Sequence, residues 1–264
     1  MKKLKMPSIM PHQVPLPPSN TNAAKEMRLA VFMGILAREL ANNIFQPFYV
    51  SFDEIHIRDM FVELAIKDPK KESFCRAVLL AISPEKQNAI LEDRKKACLQ
   101  NVESYLFDLF PETQHEELRQ SLKLIVDRAS ETWRFFQYSR NRYEPDHELL
   151  EWHVGEWESF PFTNNSGTSQ DQDLNGDSDE PVLTIFPRLC RVGNEGCKPV
   201  NIGTVLTRSQ CIDAERELKK KEPSSPRVAR VNSDRQRTRN MSISFGHSTD
   251  QNGSFLGHGD QANN

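Results

Sequence analysis

"AAKEMRLAVFMGILARELANNIFQP", residues 23–47, decides the fold. Leu29, Met33, Leu36, Leu40 and Ile44 recur at steps of three and four, the spacing that lines one face of an α-helix. Val31, Phe32 and Ile35 add apolar groups on other faces. A helix apolar on several sides is predicted to be central and the most buried of its domain. Pro47 ends it, because proline lacks the N–H and its ring clashes with the preceding turn.

Downstream the helical pattern repeats with clear punctuation. Ser51-x-x-Glu54 is a capping box and opens a second helix, with Ile57, Met60, Phe61 and Leu64 on one side. Asp68 caps a third helix that starts at Pro69, with Phe74, Val78, Leu79 and Ile82 as its expected core face. Ser83-Pro84 repeats the device for a fourth, running to about Phe110 with Leu91, Cys98, Val102, Tyr105 and Leu109. Pro111 starts a fifth. Glu112, Glu116 and Glu117 crowd its N-terminus and Arg134, Arg140 and Arg142 its C-terminus, the charge order a helix dipole favours. Leu118, Leu122, Ile125, Ala129, Trp133 and Phe136 form its expected core face. The predicted fold is mainly α: a bundle of about five helices, with a helical domain over residues 23–162. No internal repeat suggests a solenoid.

After Pro145 the pattern changes. "EWESFPF", 156–162, alternates like a half-buried strand. Residues 163–180 read as an acidic, flexible linker. "PVLTIFPRLCRV", 181–192, reads as one strand, Asn194, Gly196 and Pro199 as a turn, and "IGTVLTRSQ", 202–210, as another strand leading into a short charged helix. Residues 181–221 are thus a small C-terminal β element plus helix, and so few strands must pack on the bundle to be stable. Residues 1–22, with Pro7, Pro11, Pro15, Pro17 and Pro18, read as a disordered N-terminal arm. Residues 222–264 read as a disordered basic and polar tail, too poor in apolar groups to offset the entropy of ordering it.

Three blocks taken in order, "ILARELANNIFQPFYV", "DPKKESFCRAVLLAIS" and "LTIFPRLCRV…GTVLTRSQ", resemble a family of uncharacterised proteins of filamentous fungi. The resemblance spans roughly residues 23–215 and implies one folded unit of helices with a small β part. It implies no activity, cofactor or site residue.

Composition narrows the function classes. Of 264 residues 37% are hydrophobic, and the formal charge of −3 is too small to imply a partner. That charge is uneven: residues 171–180 carry five acids, whereas 216–240 carry nine bases against three acids. The five cysteines are odd in number and irregular in spacing, without C-x-x-C, which fits reduced thiols rather than a disulfide framework or zinc site. The apolar run from Met27 to Ala37 is short of the ~20 residues that span a bilayer. A cytoplasmic or nuclear protein with no membrane role is expected.

Four stretches invite a chemical reading. Asp171, Asp173, Asn175 and Gly176 match the first half of an EF-hand loop, but Pro181 and Val182 stand where its closing carboxylate belongs, so calcium binding is not expected. "HELLEWH", 147–153, approaches a zinc-protease motif, yet Glu151 replaces the second histidine and His153 faces elsewhere on a helix, so no metal and no cofactor is expected. "WRFFQYSRNRY", 133–143, interleaves aromatics with arginine as single-strand binders do, but Trp133 and Phe136 also continue a core stripe. In the tail, Arg227 and Arg230 precede Ser233, Arg237 and Arg239 precede Ser242, and Ser225-Pro226 is a minimal proline-directed site. These make Ser225, Ser233 and Ser242 candidate phosphosites. No phosphate-cradling glycine loop and no nucleophile elbow occurs, and no catalytic residue is assigned. The leading expectation is a non-enzymatic interaction or regulatory protein whose helical core docks a protein partner. Nucleic-acid association through residues 216–240 is the alternative, and an unrecognised enzyme the third reading.

Overall fold

Thr21 opens the first helix, α1 (Asn22–Asn43), by accepting the Ala24 N–H on its side-chain oxygen at 3.3 Å. The same hydroxyl donates to Glu217 at 2.6 Å, so one residue caps α1 and ties it to the last helix. The computed structural model describes residues 14–50, 54–107, 110–149, 155–162 and 179–221, and the Ser51 half of the expected capping box lies outside them. Among the described residues α1 is followed by α2 (Glu54–Lys67), α3 (Pro69–Ile82), α4 (Pro84–Leu106) and α5 (Glu112–Gln137). Then come β1 (Arg142–Asp146), β2 (Trp157–Ser159), β3 (Pro181–Phe186), β4 (Arg188–Gly193), β5 (Gly196–Pro199), β6 (Gly203–Thr207) and α6 (Arg208–Lys221). The chain is mainly α; among the described residues the five expected bundle helices and the short charged helix, α6, accompany two three-stranded sheets, where a smaller β element of about three strands was expected.

Proline explains much of the difference. The single strand expected over 181–192 is broken at Pro187, which has no N–H for a ladder, and its halves join different sheets. The first sheet has the order β1-β4-β5 and is antiparallel throughout. The second has the order β2-β6-β3, with β6 parallel to β2 and antiparallel to β3. Pro145, Pro181 and Pro199 all fall on edge strands, where a missing donor costs no central bond. Arg142, read as lying at the C-terminus of the fifth helix, instead opens β1, because α5 stops at Gln137. Residues 196–199, read as a turn, form β5.

The core is built around α1, which buries Ala24, Met27, Ala30, Val31, Ile35, Leu36, Ala37, Leu40 and Ala41. Leu29, expected inside, is 47% exposed. Cys98, Val102 and Leu106 of α4 and Leu122 and Val126 of α5 join the same cluster. Val182, Leu183 and Ile185 of β3, Leu206 of β6, and Cys211 and Ala214 of α6 complete it, so sheet and helices share one core. Gly34 lets α1 come close to β3: a β-carbon there would lie 3.2 Å from the Thr184 carbonyl oxygen.

Candidate functional site

α3 reverses the faces expected of it. Phe74, Val78 and Ile82 are 70%, 41% and 67% exposed, while Glu72, Arg76 and Leu80 are buried. The helix begins as the sequence suggests: Asp68 accepts the Lys71 N–H at 3.1 Å and Pro69 occupies the first turn. Its rotation is fixed by charge. Arg76 Nε donates to Glu72 Oε1 at 2.9 Å and Nη2 to Oε2 at 3.2 Å, one turn apart on the same helix. Arg76 also donates to the carbonyls of Gln137 and Ser139, the latter at 2.9 Å, and so caps the C-terminus of α5.

The cluster extends beyond α3. Arg142 of β1 donates to Glu72 at 3.3 Å and, through Nε, to Glu144 Oε1 at 2.9 Å. Arg58 of α2 reaches the other oxygen of Glu144 and also Gln46 Oε1, at 3.3 Å. The Gln46 carbonyl accepts the Trp133 indole N–H and the Gln137 amide, each at 2.8 Å. Three guanidiniums and two carboxylates therefore lock α2, α3, α5 and β1 together. A buried array of this kind adds little net stability over apolar packing, but its partners admit only one arrangement.

With that inner face committed, the outer face of α3 is left to solvent. Phe74, Ala77, Val78, Ala81 and Ile82 are all exposed, and their spacing places them on one stripe. Eight residues of rise make it about 12 Å long. Ala77 and Ala81 leave its middle shallow between larger groups. Lys70 and Lys71 flank its N-terminal end, where the helix dipole is also positive, and Lys71 pairs with Asp68 at 3.3 Å.

The first sheet turns a second polar group inward. Asp146 accepts from Arg188 Nε at 2.7 Å, Glu156 pairs with the same guanidinium, and Arg188 lies over the Trp157 ring at 5.4 Å. His147 follows β1. Burial, reinforced by Arg38 and opposed by Asp146, pushes its imidazole pKa down to about 4. Its Nε2 has no hydrogen-bond partner among the described residues.

The stretches singled out in the sequence fare differently. Residues 147–149 are irregular rather than helical, and Glu151 and His153 lie outside the described residues. Among the described residues no group of three or more His, Cys, Asp or Glu could hold a metal ion. In 133–143, Trp133 is buried, packs against Phe45 at 4.9 Å and stacks on Phe136 at 5.2 Å, Arg134 bonds Asn88 at 3.2 Å, and Arg142 is consumed by the ion cluster. Phe135, Tyr138 and Arg140 of that stretch reach the surface. In the basic run Arg216 pairs with Asp213 at 3.1 Å. The residues from 222 onward, the acidic loop 171–176, and the candidate phosphosites Ser225, Ser233 and Ser242 lie outside the described residues. Among those residues no helix is long and apolar enough to cross a membrane.

Sequence reasoning missed the ion cluster. Its signals were present: Glu72 and Arg76 one turn apart, and Arg142-Tyr143-Glu144 alternating as a strand does. A shallow, solvent-open depression with room for only about 40 Å³, bordered by Tyr49, Gln87, Ser130 and Arg134, lies between α4 and α5. No family model, no curated protein and no solved structure matches this chain.

Proposed function

We propose that this chain is a non-enzymatic interaction protein whose helical part docks a protein partner on the outward face of α3. The observation that carries the reading is the exposed stripe Phe74, Ala77, Val78, Ala81 and Ile82 on a helix whose opposite face is immobilised by buried ion pairs. Large exposed side chains in one contiguous row mark interaction surfaces more often than chance exposure does. The occupant that fits is an amphipathic helix. Small residues in the middle of the stripe let a second helix come close, and large ones at its ends supply anchors. Lys70 and Lys71 favour acidic residues at one end of that helix.

The test is a photo-crosslinking residue at Phe74 in the full-length chain, followed by sequencing of the crosslinked peptide and reconstitution with the captured protein. An acidic amphipathic segment whose affinity falls by about tenfold or more in Ile82→Glu supports the reading. Capture of a second copy of this chain alone, or binding unchanged by Ile82→Glu, overturns it. So does association that disappears with nuclease treatment, which would point to the basic run 216–240 instead.

A further inference from the structure

β4 and β5 carry two of the five cysteines, and the register sets both on one face. Val192 pairs with Cys197 and Cys190 with Pro199, so Cys190 and Cys197 project to the same side, one step apart along the hairpin. They differ in access: Cys190 is buried and Cys197 exposed. Asp146 of β1 lies 3.9 Å from the Cys190 sulfur, and Arg188, two residues before Cys190, shares that face.

We propose that Cys190 and Cys197 form a peroxide-oxidisable pair, with Cys197 the attacking thiol and Cys190 the resolving one. The electrostatics support this order. Hydrogen bonding between the two thiols, and then burial, pushes the pKa of Cys190 up. The hydrogen bond from Cys190 pulls that of Cys197 down and outweighs its own burial and the nearby Asp146 and Glu144 carboxylates, which push it up; Arg188 acts in the same direction as the bond. Of the two sulfurs the exposed one therefore has the greater thiolate character, and the thiolate is the form that reacts. Cys98 and Cys211 are buried, and burial is the largest cause raising the pKa of each, to about 12 and about 11. They have neither the access nor the thiolate character of Cys197.

The chemistry closes with a hydroperoxide as oxidant. The Cys197 thiolate attacks the distal peroxide oxygen, the O–O bond breaks, and the leaving oxygen departs as hydroxide (or alkoxide) and takes up a proton. Cys197 is then a sulfenic acid. The Cys190 thiol gives its proton to solvent or the nearby Asp146 carboxylate, and its sulfur attacks the Cys197 sulfur. The S–O bond breaks and the hydroxyl leaves as water. The two thiols lose two electrons and two protons, and hydrogen peroxide becomes two waters. The product is a disulfide within the hairpin.

The test treats the reduced full-length protein with a slight excess of hydrogen peroxide, blocks remaining thiols by alkylation and maps the peptides. The expected result is loss of alkylation at Cys190 and Cys197 together, a linked peptide joining them within one chain, and full recovery with a dithiol reductant. In Cys190→Ser a dimedone adduct should accumulate on Cys197, and in Cys197→Ser Cys190 should stay alkylatable only after unfolding. Oxidation that appears first on Cys75, links between two chains, or over-oxidation of Cys197 in the wild type without a linked peptide would overturn the proposal. The wild-type map decides the matter even if a variant fails to fold.

Discussion

Glu72 is the residue on which most of the buried charge depends, since it accepts from both Arg76 and Arg142. Glu72→Ala leaves two guanidiniums without their shared carboxylate in a site 1% exposed. Breaking one partner out of a buried array costs about 3–5 kcal/mol, and chemical denaturation should show a loss of that size. A loss below about 1 kcal/mol would mean that water reaches the cluster. Gly203 is the second exposed dependency. A β-carbon there would overlap the Cζ3 and Cε3 atoms of Trp157 and lie 3.0 Å from the backbone nitrogen of Arg188, closer than the packing allows. Gly203→Ala is expected to destabilise by about 1–3 kcal/mol and to shift the Trp157 fluorescence.

At the scale of the element, α3 makes the sharpest prediction. Leu80→Ala should cost about 2–5 kcal/mol as a core truncation. Phe74→Glu and Ile82→Glu should stay within about 0.5 kcal/mol of the parent while abolishing partner binding. If the helix faced the other way, as its apolar spacing alone suggests, those sizes would be exchanged. The start of α3 also responds to acid. Backbone hydrogen bonding from Lys71 holds the Asp68 carboxyl below its usual value, so its capping contribution is complete above the ordinary carboxylate pKa and fades as pH falls through the lowered one. The element types were legible because their signals are local: Pro69 and Pro84 open helices at first turns, as the sequence suggests. Which face of α3 is buried was not local. Glu72 and Arg76 look like a solvent-exposed i,i+4 pair until β1 brings Arg142 and Glu144 to them from the far side of α5 in sequence. Likewise Pro187 reads as tolerable in one long strand until the two sheets separate at it. Phe74, Val78 and Ile82 of the exposed stripe were legible as an apolar face but were assigned to the core for the same reason.

For the folded part as a whole, His147 sets an acid limit. Its pKa of about 4 in the folded chain lies below the ordinary value of 6.5, so between these the unfolded chain binds a proton that the folded chain does not. Its contribution to stability is full above about pH 6.5 and falls by up to about 1.4 kcal/mol per pH unit down to about pH 4, where that contribution's loss levels off. Denaturation midpoints measured from pH 7 to 4 should follow that curve, and His147→Gln should flatten it. An unchanged slope in the variant would assign the acid sensitivity elsewhere.

β6 stands in the centre of its sheet and is the last strand to be made among the described residues. A ribosome working toward the C-terminus therefore emits β2 and β3 before the strand that both must pair with exists. Until Thr207 has left the exit tunnel neither has its ladder, and the side of α1 that meets Leu183 waits without its cover. The nascent chain thus carries an apolar helix surface from early in its synthesis and adds two unpaired strand edges over the stretch between β3 and Thr207, the state in which chaperones engage a chain and in which chains aggregate. Stalled-chain proteolysis should find β3 cleavable at every length short of Thr207 and protected soon after it emerges.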